Sequence, residues 1–237
     1  TVIMQFAGVT HLKASHYYYK QLSLKDGVTS AVRCILTDKQ GFVWIGTKAG
    51  VSRYDGHELK KYVHSPNNPQ SIPNNLIHQI AEDEMSNIWI LTDKGIARYQ
   101  RQSDDFFLPA DEKGNPIIAY STCLTKDGVL FGSKDKVYFY SYRDSSLRLL
   151  QKLNKGSNFN ISLLSLWDEH TVLCCSRWQG LVLLDLNTGK HRLPPFDCGK
   201  EIMNMLIDSQ NRIWIAPYNE GVKCFTHNGE LVKAYTI

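Results

Sequence analysis

Short apolar segments separated by polar turns follow one another along the chain. The first set comprises 31–38, 42–47, 51–54 and 58–63, and its turns contain Asp-Lys-Gln-Gly and Asp-Gly. Apolar segments of this length between such turns predict β-strands, and Asp-Gly between two of them predicts a hairpin. A sustained period of 3.6 residues is absent from the sequence, so helices are not expected.

The set of strands recurs. Residues 42–47 read Phe-Val-Trp-Ile-Gly-Thr, residues 87–92 read Asn-Ile-Trp-Ile-Leu-Thr, and residues 212–217 read Arg-Ile-Trp-Ile-Ala-Pro. A repeat of about 40 to 45 residues that holds four antiparallel strands, here named A to D, is typical of one propeller blade. The sequence therefore predicts an all-β protein, a β-propeller of four-stranded antiparallel blades.

Five such units are present, and the third and fourth are degenerate: Leu130 stands at the tryptophan position of the third, and Lys136 at its glycine position. The predicted blades span about 31–63, 76–108, 117–153, 161–196 and 202–237.

A further segment, 16–23, has the character of a D strand and precedes the first A strand. It predicts the outer strand of a closing blade. Because the fifth unit already has its own D strand, the extra one favours a truncated propeller, originally of seven blades. A five-bladed ring with a displaced strand is the alternative. Residues 1–15 are interpreted as a leader or an N-terminal extension, either the tail of a secretory signal or a leading strand.

The repeated residues are interpreted as framework. The recurring tryptophan lies in the middle of an apolar strand, which favours packing between neighbouring blades over ligand stacking. Glycine in the B–C connections permits a backbone conformation that other residues avoid; these glycines are Gly50, Gly95, Gly180 and Gly221. The aspartates of the A–B turns offer single carboxylates without a calcium-loop pattern, so no metal site is predicted.

Composition excludes several classes of function. The chain has 237 residues and a net charge of +4, from 27 basic and 23 acidic side chains that are scattered along it. This pattern does not predict a nucleic-acid partner. Six cysteines without paired spacing predict neither a disulfide framework nor zinc. The eight histidines form no HExxH motif, and nucleophile elbows and phosphate-binding or dinucleotide-binding loops are absent, so neither a catalytic residue nor a cofactor is predicted.

Departures from the repeat indicate where a ligand would bind. The B–C connections of the fourth and fifth units, 177–180 and 218–221, are each one residue longer than the first two. Alternating strand directions place the B–C and D–A connections on one face, where exposed aromatic and amide side chains could bind sugars or peptides. The candidate ligand-binding residues are Arg177, Trp178, Gln179, Tyr218, Asn219, Lys48, Lys94, Asn74 and Asn75. The alternative is that they form a channel rim or contact a neighbouring domain.

Residues 38–56 contain Asp-x-x-Gly, Trp-Ile-Gly-Thr and Gly-Val-x-x-Tyr-Asp in succession. This unit resembles the two-component regulator propeller repeat, and residues 22–30 and 67–75 are also similar to that family. The resemblance implies the periplasmic sensor region of an inner-membrane hybrid histidine kinase of Bacteroides type. It further implies an oligosaccharide ligand that controls polysaccharide utilisation. The implied partners are further propeller blades, a sandwich domain of the same chain and a homodimer of the parent receptor.

Two other classes of function stay open. One is a propeller enzyme of the lyase or hydrolase type, which would require a cluster of catalytic residues on one face. The other is a protein-interaction scaffold, because a propeller fold does not determine function. Kinase, phosphoacceptor and DNA-binding regions are not recognised in the sequence, so this chain is not expected to be an enzyme itself.

Overall fold

The computed structural model describes residues 31–153 and 159–236. Within them, twenty strands form five four-stranded sheets, one for each predicted blade. The first two blades consist of β1 Val32–Thr37, β2 Val43–Thr47, β3 Gly50–Tyr54, β4 Leu59–Tyr62, β5 Ile77–Glu82, β6 Ile88–Thr92, β7 Gly95–Gln100 and β8 Asp105–Phe107.

The other three blades have the same order of strands, and their outer strands vary most in length. They consist of β9 Ser121–Thr125, β10 Gly128–Ser133, β11 Lys136–Ser141, β12 Leu147–Lys152, β13 Ile161–Leu166, β14 Thr171–Ser176, β15 Gly180–Asp185, β16 His191–Arg192, β17 Ile202–Ile207, β18 Ile213–Pro217, β19 Val222–Phe225 and β20 Leu231–Tyr235. Each sheet is an antiparallel meander, and strand A of each blade contacts strand A of the next.

This architecture confirms the predicted fold class. The predicted leader at 1–15 and the extra strand at 16–23 lie outside the described residues. A search of the described part of the chain finds no helix with the length and hydropathy needed to cross a membrane.

The recurring tryptophan packs between neighbouring blades, as predicted. The Trp44 ring is fully buried and meets the Tyr99 ring of the second blade edge-on, with 4.9 Å between centroids. Trp89 meets Tyr140 of the third blade in the same way at 4.8 Å. Edge-to-face pairs of this kind add to the stabilisation from buried apolar area. A tryptophan of one blade and a tyrosine of the next, at the same positions of the repeat, therefore join the first blade to the second and the second to the third.

A carboxylate in the A–B turn satisfies each indole N–H. The residue that accepts the Nε1 hydrogen bond always stands six positions before the tryptophan, in the pairs Asp38–Trp44 at 3.0 Å, Asp83–Trp89 at 2.7 Å and Asp208–Trp214 at 2.8 Å. The same aspartates accept backbone N–H groups of their own turns, as Asp83 does from Asn87 at 2.8 Å. One side chain thus fixes the turn and the indole together.

Asp104, in the C–D turn of the second blade, joins the outer ends of the first two blades. Its carboxylate accepts hydrogen bonds from Tyr62 at 2.6 Å and Tyr99 at 2.5 Å, and it pairs with Lys60. Burial opposes ionisation of Asp104, but the hydrogen bonds from Lys60 and the two tyrosine hydroxyls outweigh it and lower its pKa to about 2.

We predict that Asp83→Ala lowers the free energy of unfolding by about 1–3 kcal/mol, because the Trp89 N–H would stay buried without an acceptor. Urea denaturation followed by circular dichroism measures this change. The matched control is Asp127→Ala, at an exposed position of the A–B turn of the third blade, where the Leu130 side chain has no N–H to satisfy; its expected effect is within about 0.5 kcal/mol. Equal losses in both variants would contradict the prediction.

We predict that the contribution of Asp104 to the free energy of unfolding depends on pH in the acidic range. Since its pKa is lowered on folding, the contribution is complete above about pH 4 and is lost as the pH falls through about 2. The difference in urea midpoint between wild type and Asp104→Asn should shrink over that range. Glu112→Gln, an exposed carboxylate, is the control. A difference that is constant from pH 6 to pH 2 would refute this role of the carboxylate.

Candidate functional site

The B–C and D–A connections lie at one end of the blades, and all nine predicted site residues belong to them. Five of these residues are on the fourth and fifth blades: Arg177, Trp178, Gln179, Tyr218 and Asn219. All five are exposed. We call the surface formed by 177–180, 193–201 and 218–221 the loop face.

Trp178 presents most of its ring to solvent, since 65% of the residue is exposed. The Arg177 guanidinium lies over that ring, 5.3 Å from its centroid, and donates to Met203 Sδ at 3.3 Å. Contact of a cation with an aromatic face is attractive, so Arg177 helps to hold the ring in place. The result is a large aromatic surface that is fixed by a neighbouring side chain rather than buried in the core.

Tyr218 lies next to this loop because the backbone joins the two connections. The start of β17 receives both: Ile202 N donates to Arg177 O at 2.9 Å, and Tyr218 N donates to Glu201 O at 2.8 Å. Tyr218 is 53% exposed. The structure thus brings the two predicted aromatic residues to either side of one strand end.

A cleft of about 850 Å³ adjoins these loops between Gln179 and the segment 193–200. Gly180 borders it with a backbone φ of +80°, and a Cβ there would stand 3.1 Å from Gly199 O. Any other residue at position 180 would be strained in this conformation. The cleft was not predicted, because it depends on how the long D–A connection folds against the B–C loop.

The other four predicted residues lie on the connections of the first two blades. Lys48 and Lys94 are exposed. Asn74 and Asn75 are half-buried. The Asn74 side-chain oxygen accepts the backbone N–H of Leu76 at 2.8 Å, and that of Asn75 accepts the backbone N–H of His64 at 2.7 Å. The local hydrogen bonds of the two asparagines shape the D–A connection, and these four residues are not part of the loop face as defined above.

Groups that could perform chemistry are sparse. In the described ranges, no cluster of three His, Cys, Asp or Glu side chains is arranged to hold a metal ion. The six cysteines are unpaired, and burial raises the pKa of the Cys123 and Cys198 thiols to about 11. A thiol with a raised pKa is a poor nucleophile.

Comparison with known proteins identifies the repeat. Residues 26–49 match the model of the two-component regulator propeller, which confirms the resemblance predicted from the sequence. Histidine kinase P4 of Formosa agariphila is 35% identical over 74 residues, which cover 30% of this chain and 5% of that protein.

Solved structures are similar over most of the chain. The extracellular domain of a putative hybrid two-component system of B. thetaiotaomicron matches with a TM-score of 0.72 and 21% identity, over 88% of this chain and 30% of that one. The extracellular domain of a putative one-component system of the same organism matches with a TM-score of 0.72 and 18% identity, over 88% and 31%. At these identities the likeness shows the fold, and this chain spans about a third of each structure.

Proposed function

We propose that this chain, which carries the two-component regulator propeller repeat, is part of the ligand-sensing region of a hybrid two-component sensor kinase. The repeat match, the similarity to a histidine kinase and the fold of two extracellular sensor domains support this proposal. In it, the sensing region lies in the periplasm, and the kinase, the inner-membrane anchor and a homodimer interface belong to the longer parent protein.

The ligand in this proposal is an oligosaccharide released from a polysaccharide, bound at the loop face. The observation that carries it is the pair of exposed aromatic residues, Trp178 and Tyr218, at either side of the strand end 201–202. Sugar rings have apolar C–H faces that pack on aromatic rings, and hydroxyls that hydrogen-bond amides and carboxylates. Gln179 and Asn219 supply such amides beside the two aromatic residues, so the site offers both kinds of contact.

Further blades of the same chain are the proposed neighbours of the fifth blade. Trp44 and Tyr62 on the first blade are covered by the second blade and are at most 8% exposed. On the fifth blade the corresponding Tyr235 is 49% exposed, and Leu206, which pairs with Trp214 across the sheet, is 61% exposed. An apolar face of this kind is what another blade of the repeat would cover.

We predict that an oligosaccharide from a panel of host and plant glycans raises the melting temperature and binds in calorimetry. Trp178→Ala and Tyr218→Ala should each weaken binding about tenfold or more, because buried aromatic contacts carry a large share of binding energy. Phe107→Ala removes a ring of the second blade that is 38% exposed and is the matched control.

Binding that survives in both loop variants would refute the loop face as the site. If no glycan of the panel binds, the oligosaccharide ligand is wrong, and turnover of any sugar by the chain would contradict a purely sensory role.

A further inference from the structure

The interface between the third and fourth blades lacks the aromatic pair that joins the first three. Leu130 stands in the position of Trp44 and Trp89, and Leu184 stands in the position of Tyr99. The two leucines are buried in one apolar cluster. Two large rings are thus replaced by two smaller aliphatic side chains at this interface.

A cleft of about 630 Å³ lies at this interface and opens at the end of the blades opposite the loop face. Its lining is apolar inside, with Leu130, Phe139, Leu150, Leu166 and Leu186. Well-packed interiors leave few voids larger than a water molecule. Leu130 itself is buried, so the open part of the cleft lies against half-buried apolar side chains of both blades.

The interface between the fourth and fifth blades shows that loss of the tryptophan alone does not decide the packing. Leu173 occupies the tryptophan position there as well. At that interface the segment between β16 and β17 supplies Phe196, which stacks on Phe225 with 4.6 Å between centroids and packs near Trp167. Rings from elsewhere in the chain thus occupy that interface.

The mouth of the cleft carries an unmatched cation. Across the first blade, Trp44, Arg53 and Lys60 are successive cross-strand neighbours, and Lys60 pairs with the Asp104 carboxylate of the second blade. The corresponding series across the third blade is Leu130, Phe139 and Arg148.

Arg148 has no carboxylate within ion-pair distance in the described ranges, and its guanidinium lies 5.8 Å from the centroid of the Phe139 ring. The C–D turn of the fourth blade places Asn187 at the cleft, and the one carboxylate of that turn, Asp185, accepts N–H groups of the same turn. The place that Asp104 takes at the first interface thus holds no acidic side chain here.

The mouth holds one further cation, Lys126, and three carboxylates, Asp127, Asp168 and Glu169. Lys126 and Glu169 form an ion pair at 2.6 Å, and Asp168 accepts the backbone N–H of His170 at 2.9 Å. Asp127 is exposed at the edge of the cleft. Arg148 is therefore the cation that is open to an anionic group.

We propose that this cleft binds a small aromatic carboxylate. The ring of the ligand lies in the apolar part of the cleft, against the half-buried Phe139 and Leu166. Its carboxylate takes the place of the Asp104 carboxylate and pairs with Arg148, whose planar guanidinium matches a carboxylate in two hydrogen bonds. This proposal is independent of the oligosaccharide site, which lies at the other end of the blades.

Calorimetry of the full chain with indole-3-acetate and phenylacetate tests it, with indole-3-acetamide as the neutral analogue. We expect both acids to bind and the amide to bind about tenfold more weakly, because it cannot form the ion pair. Arg148→Gln should weaken binding of the acids about tenfold and change binding of the amide less than twofold. Arg143→Gln, at an exposed arginine in the C–D turn that precedes β12, should change neither.

Leu130→Trp restores the indole of the other blades and should abolish binding of the acids and the amide. If that variant fails to fold, the comparison of acid with amide and of the two arginine variants still decides the question. Trp178→Ala should leave the affinity for the acids unchanged. If this variant no longer binds the acids, they bind at the loop face and the proposal is overturned.

Three other results would also overturn the proposal. The first is that neither acid binds, and the second is that the acids bind wild type and Arg148→Gln with equal affinity. The third is that galacturonate, a sugar acid without an aromatic ring, binds with the same affinity as the aromatic acids.

Discussion

The bond between a turn carboxylate and a buried indole organises this protein. A tryptophan that lies between two sheets removes a large apolar surface from water, but its N–H must still find an acceptor there. Asp38 and Asp83 supply that acceptor from turns that they also stabilise through backbone N–H groups. The indole then meets a tyrosine of the next blade, so one aspartate connects the shape of a turn to the spacing of two sheets.

The blades that lack this bond show what it leaves free to vary. Leu130 and Leu173 replace the tryptophan, yet both sheets keep four hydrogen-bonded strands, and their inner strands still contact those of the neighbouring blades. At one of these interfaces Phe196 and Phe225 stack, and at the other a cleft remains. The loop face is also formed by the degenerate fourth blade together with the fifth. Variation thus concentrates where the indole no longer dictates the packing, which is where we place both proposed ligands.

The sequence predicted the fold well because its signals are local and repeated. Strands such as β2 and β6 are apolar segments between turns, and the period of the tryptophan gives the number of sheets. The bond between Asp38 and Trp44 was not predicted, although the recurring spacing of six residues between Asp and Trp was visible. The exposure of Trp178 and Tyr218 agrees with their position in longer connections. The cleft beside Leu130 was beyond prediction, because it depends on which side chains of two distant segments face each other. Arg148 could not be singled out either, because only the structure shows that Lys60, at the same position of the first blade, has a carboxylate partner and Arg148 has none in the described ranges.

Hydrogen exchange of the indole N–H groups, measured by NMR on tryptophan-labelled protein, tests the central claim most directly. Replacement of single tryptophans by phenylalanine assigns the signals. The account predicts that the N–H groups of Trp44 and Trp89 exchange only when the blades unfold, because each is buried and bonded to a carboxylate. The exposed indole of Trp178 should exchange rapidly. If Trp44 and Trp89 exchange as fast as Trp178, the indole–carboxylate bond does not hold the blades together.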